Sequence, residues 1–248
     1  MGRHFSGDHS GRGAKLTSSF MEKLNRYLDA AILKPETTRA EAIDAIKACI
    51  QLEVFSVCVR PSDIELAKSL VKGTSTAVCV VLGFPHGNQL TESKSDEALR
   101  YIALGVDEID MVANYGLVRS GEWAMVASDI EAVAAPCKAA GISLKVIFET
   151  THLDIEAIRH LVGICIKAGA DFVKTSTGFG GGGATDEAVQ TMVATAAGRI
   201  KIKPSGGIRD RERAIALIEM GTHRLGVNWS SCEAICTGAA SAGNAGSY

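Results

Sequence analysis

Residues 171–221 read DFVKTSTGFGGGGATDEAVQTMVATAAGRIKIKPSGGIRDRERAIALIEMG. A short apolar run carrying Lys174 meets a glycine-rich loop, then a segment with apolar residues at helical spacing. The order repeats at once, with IKIK ending at Lys203, then PSGG, then RDRERAIALIEMG. Strand, glycine turn and helix, twice over, is the pattern of consecutive βαβ units on a parallel sheet.

Working outward, the texture continues. Apolar runs lie near 27–33, 55–60, 77–83, 108–114 and 144–149 upstream, and near 224–227 downstream. With the two runs in the quoted stretch, near 172–177 and 200–204, that makes eight. Between them lie helical patterns such as TRAEAIDAIKACIQL, TESKSDEALRYIALG and DIEAIRHLVGICIKAGA. Thr37 or Thr38, Asp154 and Asp210 stand where N-caps belong, and Gly221 stands where the last helix should stop. Eight strands in a single domain predict a (β/α)8 barrel. The competing architecture is an open doubly wound sheet, but no G-x-G-x-x-G follows the first strand. Polar residues favour the barrel. Asp29, Cys58, Asp110, Lys145, Lys174 and Lys203 are expected at strand C-terminal ends, which in a barrel converge on one mouth.

The chain has 248 residues, enough to bury a full core without disulfide or metal support. Its 26 basic and 28 acidic residues give a net charge of -2. That balance lacks the electrostatic footprint of a nucleic-acid binder or of a basic membrane-surface protein. No apolar run approaches the ~18–20 residues of a membrane span. Seven cysteines at irregular spacings predict free thiols in a reducing cytoplasm rather than a disulfide framework. Residues 1–14 are expected to be a disordered lead without a secretory h-region, 15–237 the barrel, and 238–248 a mobile tail.

The chemistry is expected around the lysines. Lys145, Lys174 and Lys203 each sit inside an apolar run, on three consecutive strands. Lysine is almost never fully buried unless it is paired. A single such lysine is as readily explained by a strand end or a salt bridge; three at similar depth point to a functional cluster. Two ammonium groups ~5–6 Å apart repel by roughly 3 kcal/mol at an effective dielectric near 20. Repulsion and desolvation together favour the neutral amine, the nucleophile of Schiff-base chemistry. Asp110 would hold one lysine charged or relay protons.

The two glycine-rich loops are expected to bind an anion. Thr177 and Gly178 open the first; Gly206, Gly207 and Arg209 belong to the second. Each loop precedes a helix, where backbone N–H groups and the helix dipole favour negative charge. Tight turns alone would also explain either loop taken singly. The six histidines are scattered with no H-E-x-x-H, so no metal is expected in the reaction. Cys58 reads as a pocket wall rather than a nucleophile.

LDAAILKPETT, FSVCVRP, GFPHG, EIDMV, LKVIFET, VKTSTGF and KPSGGIR, in that order, resemble the deoxyribose-phosphate aldolases, a class I aldolase family. The resemblance runs from about residue 24 to 235. It implies a (β/α)8 barrel, no cofactor and no metal. It also implies reversible cleavage of 2-deoxyribose 5-phosphate to acetaldehyde and glyceraldehyde 3-phosphate. By motif match Lys174 would form the Schiff base, Lys203 would perturb it, Asp110 would relay protons and Lys145 would partner Asp110. Asp29 and Cys58 would line the pocket, and Gly206, Gly207 and Arg209 would lie at its phosphate end. Family members often end in a tyrosine that reaches the site, as this chain ends in Tyr248. Partners would be small phosphorylated sugars and aldehydes, with a homodimer as the assembly common in barrels of this class.

Two departures stand out. The family often has threonine two residues after the first aspartate, where this chain has Ala31. In strand eight the family serine pair is replaced by Asn228 and Trp229, so Asn228 is the candidate phosphate-end contact and bulky Trp229 would narrow that end. Two alternatives follow: the same aldol chemistry on a non-phosphorylated deoxy sugar or small aldehyde, or a barrel that binds sugar phosphate without turning it over.

Overall fold

The structure is a computed structural model that describes residues 23–239. The expected lead at 1–14 and Tyr248, with nearly all of the expected tail, lie outside the described residues. Eight parallel strands follow the apolar runs: β1 (Leu28–Ile32), β2 (Ser56–Val59), β3 (Ala77–Leu82), β4 (Glu108–Val112), β5 (Ser143–Ile147), β6 (Phe172–Lys174), β7 (Lys201–Lys203) and β8 (Leu225–Asn228). Each pairs with its sequence neighbour from β1 to β7, and β8 pairs with β1. The remaining gap is bridged where Ser205 lies against Gly226, with the Gly226 N–H donating to the Pro204 carbonyl at 2.8 Å. The sheet therefore closes, as the sequence predicts, and an open doubly wound sheet is ruled out.

Helices α1 (Arg39–Gln51), α2 (Ile64–Val71), α3 (Thr91–Ala103), α4 (Tyr115–Arg119), α5 (Trp123–Ala140), α6 (Ile155–Ala168), α7 (Asp186–Ala196), α8 (Arg211–Glu219) and α9 (Cys232–Thr237) form the outer layer. The predicted caps are in place. Thr38 and Glu41 form a reciprocal capping box on α1. Asp154 and Asp210 accept from the third N–H of α6 and α8 at 2.8 Å each. Aliphatic side chains from the strands and the inner helix faces make one continuous core. No helix among the described residues is long and apolar enough to cross a membrane.

One expectation is corrected. The polar side chains do not all sit at strand C-terminal ends. Asp29 is the second residue of β1, while Asp110 and Lys145 are the middle residues of β4 and β5. Only Lys174 and Lys203 end their strands. The charges thus occupy the barrel interior in depth, where branched aliphatic layers normally sit.

Candidate active site

The parallel register builds this column. Asp110 stands opposite Lys145, and Lys174 opposite Lys203. All four side chains are buried. Asp110 Oδ2 accepts from Lys174 Nζ at 2.8 Å and from Lys203 Nζ at 2.7 Å. Its other oxygen, Oδ1, accepts from Lys145 Nζ at 2.9 Å. Lys203 also meets Asp29 Oδ2 at 2.6 Å, and Lys145 meets Glu108 Oε2 at 2.6 Å. Deeper still, Arg224 donates to Asp29 at 2.7 Å and to Glu108 at 3.3 Å. Its guanidinium lies over the Phe55 ring, 3.3 Å from the centroid. Ser56 donates to Asp29 at 2.7 Å.

The electrostatics follow from this packing. Burial alone would raise the pKa of Asp110, but Lys145, Lys174 and Lys203 together hold it well below the usual carboxylate range. Asp29 is likewise lowered, with burial opposed by Lys203, Arg224 and Lys145. Burial pulls Lys203 down, yet Asp110 and Asp29 outweigh it and hold its pKa above the ordinary lysine value. Lys145 is raised in the same way by Asp110, Cys79, Glu108 and Asp29 against its burial. The sequence expectation of a repelling lysine pair with one carboxylate is therefore too simple. Four cations, Lys145, Lys174, Lys203 and Arg224, share three carboxylates, Asp29, Glu108 and Asp110. With every group ionised the cluster carries one positive charge in excess, and the free amine of one lysine makes it neutral.

Cys58, the third of four residues in β2, belongs to an apolar cluster with Ala31, Leu33, Cys79, Val81 and Phe84. Phe179 meets Phe84 edge-on, with centroids 5.3 Å apart. Ala31, at the position of the family threonine, thus belongs to an apolar surface and offers no hydroxyl.

The glycine loops pack closely on one another and on Glu149. A Cβ at Gly183 would lie 2.4 Å from the Gly206 carbonyl oxygen, and one at Gly180 would lie 2.7 Å from the Glu149 carboxyl carbon. A Cβ at Gly206, at φ +87, would lie 2.9 Å from the Gly183 Cα, and the Gly206 carbonyl accepts from the Ala184 N–H at 3.2 Å. These glycines let the two loops pack on one another. Gly178 is buried at positive φ in the first loop. Gly207 and Arg209 are exposed, and the N-terminus of α8 is already met by the Asp210 carboxylate.

Thr177 donates through its hydroxyl and its N–H to Glu149, which is buried in the left-handed conformation at φ 56. Asn228 ends β8, and its carboxamide oxygen accepts from Ser230 N–H at 3.1 Å and Ser230 Oγ at 3.0 Å. Trp229 packs half-buried against the core. Tyr248 lies outside the described residues.

Sequence reasoning missed Arg224, Glu108, Ser56, Cys79 and Glu149. Arg224, Glu108, Ser56 and Glu149 stand at or near strand starts and ends, which was the available signal; Cys79 lies inside β3 and gave none. A buried lysine outside the barrel was also missed: Lys94 on α3 pairs with Asp129 on α5 at 2.6 Å and is structural. A separate cleft of about 820 Å³ along Trp123, His152 and His160 contains none of the barrel lysines.

The profile of the DeoC/LacD family aldolases matches residues 15–232. A deoxyribose-phosphate aldolase of Mannheimia succiniciproducens is 42% identical over 207 residues, covering 84% of this chain and 92% of that protein. One from Brevibacillus brevis is 43% identical over 223 residues, covering 89% and 98%. The solved structure of "QR15, an Aldolase" superposes with a TM-score of 0.80 at 38% identity, covering 86% of this chain and 94% of that one.

Proposed function

The chain belongs to the DeoC/LacD aldolase family, and from that premise we infer that it is a deoxyribose-phosphate aldolase working through a Schiff base on Lys174. Its substrate is open-chain 2-deoxyribose 5-phosphate; its products are acetaldehyde and glyceraldehyde 3-phosphate. The observation that carries the residue roles is the single Asp110 oxygen shared by Lys174 and Lys203.

The free amine of Lys174 adds to the aldehyde carbon, and loss of water leaves an iminium. The hydroxyl on C3 gives up its proton, the C2–C3 bond breaks, and the electron pair runs into the iminium to give an enamine. Glyceraldehyde 3-phosphate leaves. Protonation of the enamine and hydrolysis release acetaldehyde and restore the amine. Asp110 and the ammonium of Lys203, with water, move the protons. Lys203 is held charged by two carboxylates, Asp29 and Asp110, whereas Lys174 meets only Asp110, so the nucleophile's role falls to Lys174. Lys145 fixes Asp110 from the far side. Cys58 and its apolar neighbours face the two-carbon donor end. Thr177, Gly178, Gly206, Gly207 and Arg209 belong to the phosphate end in this reading.

A second reading rests on β8. Asn228 spends its carboxamide oxygen on Ser230, and Trp229 packs half-buried against the core. Weak phosphate recognition would then admit non-phosphorylated deoxy sugars. We take the catalytic unit as one barrel spanning 15–237, a homodimer of a reducing cytoplasm whose seven cysteines stay unbridged.

The test is a product assay on 2-deoxyribose 5-phosphate and on 2-deoxyribose in parallel. Equal amounts of acetaldehyde and glyceraldehyde 3-phosphate, with a large rate preference for the ester, support the principal reading. Equal rates on both sugars select the second. No turnover of either sugar contradicts both.

A further inference from the structure

Cys58, Cys79 and Asp110 stand on three adjacent strands, β2, β3 and β4. Cys58 is in register with Cys79, and Cys79 with Glu108. Side chains two apart on a strand share a face, so Asp110 points into the barrel with Glu108. The two sulfurs and a carboxylate oxygen all lie within 4.8 Å of one another, and all three residues are buried. Cys79 Sγ is 3.1 Å from Asp110 Oδ1. The Schiff-base reading does not use the two thiols as a pair.

We propose that these three residues form a site for a thiophilic divalent cation such as zinc, and that its occupation switches the aldolase off. Two sulfurs and one carboxylate oxygen are a donor set that zinc accepts in tetrahedral geometry, at about 2.3 Å to sulfur and about 2.0–2.2 Å to oxygen. The fourth position is left to water or to an amine that now touches the same carboxylate. Binding replaces two thiol protons by one dication, so the charge of the buried cluster is unchanged. That matters here, because Lys145 lies 3.5 Å from Cys79 Sγ and an added net positive charge would be repelled. The neighbouring wall, Ala31, Leu33, Val81 and Phe84, offers no competing oxygen donor. Ligation would use Asp110 Oδ1, the oxygen beside Cys79 that Lys145 now holds; with its charge shared by a dication, the carboxylate holds Lys174 and Lys203 on Oδ2 less strongly. The inhibition rests on the Schiff-base reading; the binding does not.

The test uses the full chain, freed of metal and titrated with cadmium chloride. The readout is the ultraviolet thiolate-to-metal charge-transfer band. The band should saturate at one cadmium per chain and vanish in Cys79→Ser and, independently, in Cys58→Ser. It should persist in Cys49→Ser, a thiol of the outer layer. Zinc should stop the reaction of the wild type, with recovery on adding chelator. The inhibiting concentration should rise at least about tenfold in Cys79→Ser, measured against that variant's own metal-free rate. A band that survives both serine variants, or that is lost in Cys49→Ser, overturns the site. A band of the expected kind with a rate untouched by zinc overturns the switch. Failure of the Schiff-base reading would show separately, as no reaction in the metal-free protein.

Discussion

Arg224 and Asp29, 195 residues apart in sequence, are joined at the floor of the barrel by a 2.7 Å charge-assisted hydrogen bond. Arg224 precedes β8 and Asp29 belongs to β1, the two strands that meet where the sheet closes on its N-terminal strand. The contact therefore ties the closure to the charged column. Asp29 passes the link on to Lys203, and Lys203 to Asp110.

Removing one member of a buried ion pair leaves the other uncompensated and costs about 3–5 kcal/mol. Glu108→Gln should destabilise the fold by that order, because both Arg224 and Lys145 lose an anion. Urea unfolding at neutral pH checks this. A change within about 0.5 kcal/mol would contradict the floor as described.

Asp110→Asn keeps the shape of the side chain and removes the charge that three lysines share. Turnover should fall by about 10²–10⁴-fold, the usual worth of a positioned acid or base. Near-normal turnover in a folded variant would remove Asp110 from the mechanism.

The charge count governs Lys203. With Lys203 present, four cations face three carboxylates and a free amine neutralises the cluster. Lys203→Leu leaves three against three and removes the excess positive charge that a free amine neutralises. The pH–rate profile should move to higher pH by about one unit or more, with a lower maximum. An unmoved profile would sink the argument from charge excess.

Stability should fall at both extremes of pH. Asp110 and Asp29 have lowered pKa values, so their contribution is complete above the unfolded carboxylate range near ~4 and is lost as pH falls below it. Lys145 and Lys203 are raised, so theirs is complete below the unfolded lysine value of ~10.4 and is lost as pH rises through the folded values. Urea midpoints across the range should trace a plateau between those limits. A midpoint that climbs steadily beyond pH 10 would contradict the cation side.

The glycine contacts predict unequal costs. At Gly183 an added Cβ meets backbone 2.4 Å away and neither loop can yield cheaply. Gly181 has open space, although its φ of +80 costs alanine about 1–2 kcal/mol. Gly183→Ala should lower the melting temperature more than Gly181→Ala; the reverse order would mean the loops are not packed as described.

Strands were readable because each is a run of aliphatic residues, and Lys145, Lys174 and Lys203 because a charge in such a run is conspicuous. Arg224 was not, since a lone arginine before LGV looks solvated and its partners are 195 and 116 residues away. Depth was misjudged for Asp29, because the apolar run around it extends beyond the hydrogen-bonded strand. The close contacts that require Gly180 and Gly183 were not legible either, because they come from Glu149 and Gly206 on other loops. The Cys58–Cys79–Asp110 set has no linear motif, because its spacing is set by strand register rather than by chain distance.

The central claim is that Lys174 carries the covalent intermediate. Intact-mass and peptide mapping after borohydride reduction tests it, with 2-deoxyribose 5-phosphate supplied to the wild type, Lys174→Leu and Lys203→Leu. The account predicts a single reduced adduct on Lys174 in the wild type and none in Lys174→Leu. An adduct on another lysine of the wild type, or one that persists in Lys174→Leu, would contradict it.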